Sequence, residues 1–187
     1  VHAIGSVCQK HDMRLFMDGA RFANAVAALE CHPADITWKA GVDVLSFGAT
    51  KNGALAVDAI ILFDPELRRH TEKSRKRGGH LFSKHRYLAA QLLAYVQDDL
   101  WLRNARHAND AAMTLMDSLQ SLGAKAAFAP QGNELFMHMT DELAGKLRDG
   151  GLVFRPWASI GPDAYRFVCA WNNPIDVIRE LPKTIAG

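Results

Sequence analysis

A lysine between two apolar runs, a carboxylate closing another run, and an arginine three residues beyond it are the residues of this chain best placed to do chemistry. Lys51 stands in LSFGATKNGAL (45–55), and Asp18 and Arg21 stand in LFMDGAR (15–21). A free lysine, with a pKa of about 10.4, is a poor nucleophile at neutral pH, yet in a pocket with other cations it can form a Schiff base with a carbonyl compound. A carboxylate at a strand end can hold a positive charge on a ligand, and a guanidinium offers a fork to a carboxylate or phosphate. Each also has a plainer use. Asp18 could shape a turn or cap the helix after it, Arg21 could pair with Asp18 or stay solvated, and most lysines are solvated surface residues. Taken together, aspartate, arginine and an imine-forming lysine suggest pyridoxal phosphate, with the aspartate stabilising a protonated pyridine nitrogen.

The elements that must position these groups follow from periodicity. Ile4, Val7 and Cys8 recur at helical spacing up to a turn at 10–12, and RLFMDG (14–19) reads as a short buried strand ended by Gly19. ARFANAVAALE (20–30) is alanine-rich and helical, with Pro33 as its stop. VDVLSF (42–47) and VDAIILF (57–63) are dense in apolar and β-branched residues, as expected of strands covered on both faces. These put Asp18 at the end of one strand and Lys51 in the turn after another, at the same edge of one sheet. Beyond Pro65, PELRRHTEKSRKR (65–77) reads as a charged helix, and 78–123 as two long helices. Short strands then return at 125–130, 134–139, 152–157 and 165–171, around helices at 140–151 and near 174–181. The order predicts an α/β portion at 1–82, followed over 83–187 by connecting helices and a small α+β module.

Bulk properties narrow the partners. With 49% hydrophobic and 22% charged residues, the composition is globular, and 22 basic against 20 acidic side chains leave no nucleic-acid footprint. The basic stretch Arg75, Lys76, Arg77 ahead of Gly78-Gly79 reads as a solvated helix end. Cys8, Cys31 and Cys169 have no paired spacing, the eight histidines form no metal-binding pattern, and no apolar run is long enough for a membrane span. A cytoplasmic protein acting on a small molecule is the expectation.

LFMDGARFANA (15–25) followed by DVLSFGATKNGALAVDAIILF (43–63) resembles the cofactor-binding core of the low-specificity L-threonine aldolases. These are pyridoxal-phosphate enzymes of the aspartate-aminotransferase fold, fold type I. RKRGGHLFSKHRYLAAQLLA (75–94) and YRFVCAW (165–171) are similar to later segments of that family in the same order. The resemblance implies that 1–82 is part of a mainly parallel large domain and that the rest includes a small C-terminal α+β domain. It implies Lys51 as the Schiff-base lysine, Asp18 as the partner of the pyridine nitrogen, and Arg21 and Arg166 as carboxylate clamps from the two domains. Thr50 would lie near the cofactor phosphate, although a turn threonine fits its sequence as well; Arg166 could equally be an exposed strand residue. Arg77 or Lys84 would lie near an active site at a subunit interface. The implied activity is retro-aldol cleavage of threonine or related β-hydroxy-α-amino acids to glycine and an aldehyde, in a homotetramer built from dimers. A β-eliminating lyase or aminotransferase of the same fold, or a non-catalytic truncated relative, are the alternatives. Family members begin well before Val1, so the glycine-rich phosphate cradle and the ring-stacking histidine are expected in a preceding part.

Overall fold

The computed structural model of the chain describes residues 1–81 and 83–186, and it divides into two compact units, 1–103 and 104–187. Phe82, inside the segment expected to open the helical part, lies outside the described residues.

The first unit opens with helix α1 (His2–Lys10), then strand β1 (Phe16–Gly19) and helix α2 (Phe22–Leu29). Helix α2 ends where Glu30 adopts a left-handed conformation, just before the Pro33 turn. Strands β2 (Val44–Gly48) and β3 (Asp58–Leu62) follow, then helices α3 (Arg68–Arg77) and α4 (Arg86–Val96). Strand β1 pairs with β2 in parallel, and β2 with β3 antiparallel. The pleat gives the sheet two faces. Leu45, Phe47 and Val57 are buried on one face with Phe22 and Val26 of α2 and Tyr95 of α4, and Leu88 and Leu92 of α4 pack against the same cluster. Phe47 meets Phe22, Tyr95 and Trp101 at ring separations of 6.0, 5.8 and 5.5 Å. Truncating Phe47 to alanine would cost about 3–5 kcal/mol.

The other face differs from the two-sided burial expected of these runs. Phe16 is 60% and Ile60 55% exposed, although both lie in apolar strands. Helix α3 is fully polar and carries no buried residue; its basic end is closed by Gly78 N–H donating to Ser74 O and His80 N–H to Arg75 O, so the basic stretch is a solvated helix end.

A left-handed pair, Asp98 and Asp99, turns the chain into helix α5 (Leu100–Ser121), within which the two units divide. The second unit contains β4 (Lys125–Ala126), β5 (Glu134–His138), helix α6 (Asp141–Asp149), β6 (Arg155–Pro156), β7 (Ala164–Val168) and helix α7 (Ile175–Ala186). The sheet is antiparallel, in the order β4-β5-β7-β6. Leu135, Met137, Tyr165 and Phe167 point to a core shared with Leu119 of α5, Leu147 of α6 and Leu181 of α7. Helix α6 starts cleanly because Thr140 Oγ1 accepts from Leu143 N–H at 3.2 Å, with Asp141 and Glu142 in its first turn. Among the described residues no helix is long and apolar enough to cross a membrane.

Candidate functional site

The segments that carry Asp18 and Lys51 meet through their backbones. Asp18 lies opposite Ser46 on the parallel pair, and Ser46 Oγ accepts from Gly19 N–H at 3.2 Å. Two residues beyond Ser46, Gly48 lies so close to the turn after β1 that an added Cβ would stand 2.7 Å from Ala20 Cα and 2.9 Å from Gly19 O. A Cβ on Gly19 would stand 2.5 Å from Ser46 O. Only glycines allow this approach, and it sets the chain after β1 beside the chain leading to Lys51, at the carboxyl ends of two parallel strands.

The Lys51 turn is fastened from three sides. Asp58, the first residue of β3, accepts from Ala49 N–H (2.8 Å), Thr50 N–H (3.3 Å) and Thr50 Oγ1–H (3.3 Å) through one oxygen. Gly53 closes the turn at φ 118°, which no β-carbon residue adopts easily. Asn52 is 3% exposed, and its amide donates to Tyr95 Oη at 2.7 Å and Trp101 O at 2.8 Å, while Tyr95 Oη–H reaches Gly48 O at 3.4 Å. Burial raises the Tyr95 pKa, so this hydroxyl stays protonated and able to donate.

Lys51 itself is exposed, and among the described residues its ammonium has no hydrogen-bond or ion-pair partner. Asp18 is also exposed and has no ion-pair partner among them; its Oδ1 accepts from Ala20 N–H at 2.9 Å, the local turn bond that the sequence allowed, which leaves Oδ2 for a ligand. Arg21 is half-buried at the N-cap of α2, where the helix dipole opposes a cation. Thr50 has its hydroxyl turned inward, towards Val57 O at 3.3 Å and Asp58. Arg166 belongs to the second unit. It sits on the sheet face opposite that unit's core, paired across strands with Phe136 and Arg155, ion-paired with Glu134, and 5.2 Å from the Trp157 ring.

The sequence reading passed over Asn52, Asp58, Tyr95 and Glu134. The clues were present: an asparagine after the lysine, and an acidic residue opening an otherwise apolar strand. Their partners lie up to 49 positions away, however, and no local pattern encodes that. No group of three histidine, cysteine, aspartate or glutamate side chains that could hold a metal occurs among the described residues.

A model of the beta-eliminating lyase family matches residues 1–142. The chain belongs to this family. Over 184 residues, this beta-eliminating lyase family chain is 41% identical to a low specificity L-threonine aldolase of Pseudomonas aeruginosa and 39% identical to one of a Pseudomonas species. Each match covers 98% of this chain and 53% of the relative, so the chain spans about half the length of the curated relatives it matches. Among solved structures, a threonine aldolase of Leishmania major superposes with a TM-score of 0.86 at 24% identity, covering 98% of this chain and 54% of that one. A serine palmitoyltransferase of Sphingomonas wittichii superposes at 0.69 and 14% identity, covering 98% and 49%. These likenesses identify the fold as that of the fold type I pyridoxal-phosphate enzymes. The cofactor of the family is pyridoxal phosphate. Two groups would suit it, both uncommitted among the described residues: the Lys51 amine for a carbonyl and Asp18 Oδ2 for a protonated ring nitrogen.

Proposed function

We propose that the protein containing this chain is a pyridoxal-phosphate-dependent aldolase that cleaves L-threonine, L-allo-threonine or related β-hydroxy-α-amino acids to glycine and an aldehyde. The observation that carries this reading is the close backbone packing of Gly48 on Gly19 and Ala20, which brings together the segments of a lysine and an aspartate that have no ion-pair partner among the described residues. Identity of 41% to a low specificity L-threonine aldolase supports the choice of reaction.

In this reading the cofactor, when bound, supplies an electron sink for the pair released as the Cα–Cβ bond breaks. The chain's residues do the rest. Lys51 would hold the cofactor through its carbonyl; its turn stays fixed because Asp58 and Asn52 hold the residues on either side of it. Asp18 keeps a proton on the ring nitrogen by its negative charge, which is what makes the ring an electron acceptor. Thr50 would be the third cofactor-side residue, its hydroxyl a donor that now serves Val57 O and Asp58. Arg21 and Arg166 are each carboxylate partners, through the planar fork that suits a carboxylate. We assign residues 1–82 to the cofactor domain and 83–187 to the connecting helices and small domain. A homotetrameric state and a cytoplasmic location belong to the same reading and rest on the family resemblance.

The test is product analysis. Full-length protein loaded with pyridoxal phosphate and given L-threonine is expected to release glycine and acetaldehyde in equal amounts. Ammonia with a keto acid would identify a β-eliminating lyase, amino transfer to an added keto acid would identify an aminotransferase, and either would replace this reading.

A further inference from the structure

We propose that Glu134 is a positioning residue for substrate, acting through Arg166; the inference rests on Arg166 being a carboxylate partner. Arg166 lies on β7 between Phe136 of β5 and Arg155 of β6. Arg155 is its direct cross-strand neighbour, and like charges opposite each other repel, so the register alone would push the Arg166 guanidinium off this face. Two contacts oppose that. Glu134 accepts a charge-assisted hydrogen bond from Arg166 Nη2, two residues along β5 from its cross-strand partner. The indole of Trp157 lies beneath the guanidinium at 5.2 Å and is itself held edge-on by Phe136 at 5.6 Å. The Arg166 and Glu134 side chains are 24% and 28% exposed, so the pair is partly desolvated and still reachable from solvent.

The geometry leaves the guanidinium half used. Glu134 engages Nη2, and among the described residues Nε and Nη1 have no hydrogen-bond partner. An arginine fork fixed by one carboxylate on one nitrogen presents its remaining N–H groups in a set direction, which lowers the entropy lost when a second carboxylate binds. Glu134 therefore strengthens substrate binding by fixing Arg166. The opposite effect would follow if the two carboxylates competed for one donor set.

The experiment is a double-mutant cycle in the full-length holoenzyme, reading KM and kcat for L-threonine in Glu134→Ala, Arg166→Ala and the double variant. Glu134→Ala is expected to raise KM about tenfold with kcat changed less than about threefold, while Glu134→Gln, which keeps the hydrogen bond but not the charge, raises it about threefold. In the Arg166→Ala background, removing Glu134 should change KM by less than about twofold, because its effect passes through the arginine. Should the alanine variant fail to fold, Glu134→Gln alone carries the test through its KM. A KM that falls in either Glu134 variant would show competition and overturn the proposal, as would equal Glu134→Ala effects with and without Arg166. If Arg166→Ala leaves KM unchanged, Arg166 is not a carboxylate partner; that fails the reading of Arg166 and the proposal with it. A raised KM in Arg166→Ala alone leaves that reading standing and overturns only the role of Glu134.

Discussion

Asn52→Ala is the perturbation that best separates a turn fixed by tertiary contacts from one fixed by local sequence. The Asn52 amide is almost fully buried and serves two acceptors, Tyr95 Oη at 2.7 Å and Trp101 O at 2.8 Å. Truncation removes one donor from each. A buried acceptor that loses its donor costs roughly 1–3 kcal/mol, and both belong at the low end, because the Tyr95 oxygen still donates to Gly48 O and the Trp101 carbonyl keeps its donor within helix α5. The expected loss is about 2 kcal/mol. Tyr95→Phe keeps the ring against Phe47 and removes one acceptor, so its cost is about 1 kcal/mol, and the pair should couple by roughly 1 kcal/mol in a double-mutant cycle. Urea unfolding of the full-length protein, followed by tryptophan fluorescence, measures all three. A loss below about 0.5 kcal/mol for Asn52→Ala would refute the reasoning, since that is the scale of an ordinary surface substitution.

Further expectations follow from the same geometry. Gly48→Ala places a Cβ 2.7 Å from Ala20 Cα, and because the clash is with backbone it should cost several kcal/mol and depress activity; a protein as stable and active as the parent would contradict the close approach. Asp18→Ala should lower kcat by about 10²–10³ with a much smaller change in KM, read from steady-state kinetics. Burial pushes the Cys169 thiol up to about 11 from 9.0, so the unfolded chain releases this proton first as pH rises. The stability tied to it is complete below pH 9 and lost on rising through about 11, and Cys169→Ala should flatten that part of a stability-against-pH curve. Native-state alkylation at pH 8 should label Cys8 and Cys31 and spare Cys169 until denaturant is added.

Much of this organisation is legible in the order of residues. The alternation of apolar strands and alanine-rich helix was enough to place Asp18 at the end of β1 and Lys51 in the turn after the neighbouring β2, because strands of this composition bury and their polar termini face outward. The exposed face carrying Phe16 and Ile60 was not legible, since an apolar run says that a strand can be covered and not that this chain covers it. Thr50 reads as a ligand or a turn residue with equal ease; the contact with Asp58 that turns its hydroxyl inward depends on β3 folding back in antiparallel register. The same holds for Glu134, whose pairing with Arg166 spans 32 positions and arises only when β5 and β7 become neighbours.

The central claim is that Lys51 is the cofactor lysine, and borohydride trapping tests it most directly. Full-length protein loaded with pyridoxal phosphate, reduced with borohydride and digested, is expected to carry the pyridoxyl group on the peptide containing Lys51, and to lose that label in Lys51→Ala. A pyridoxyl group on a different lysine, or none on a protein that still cleaves threonine, would contradict the account.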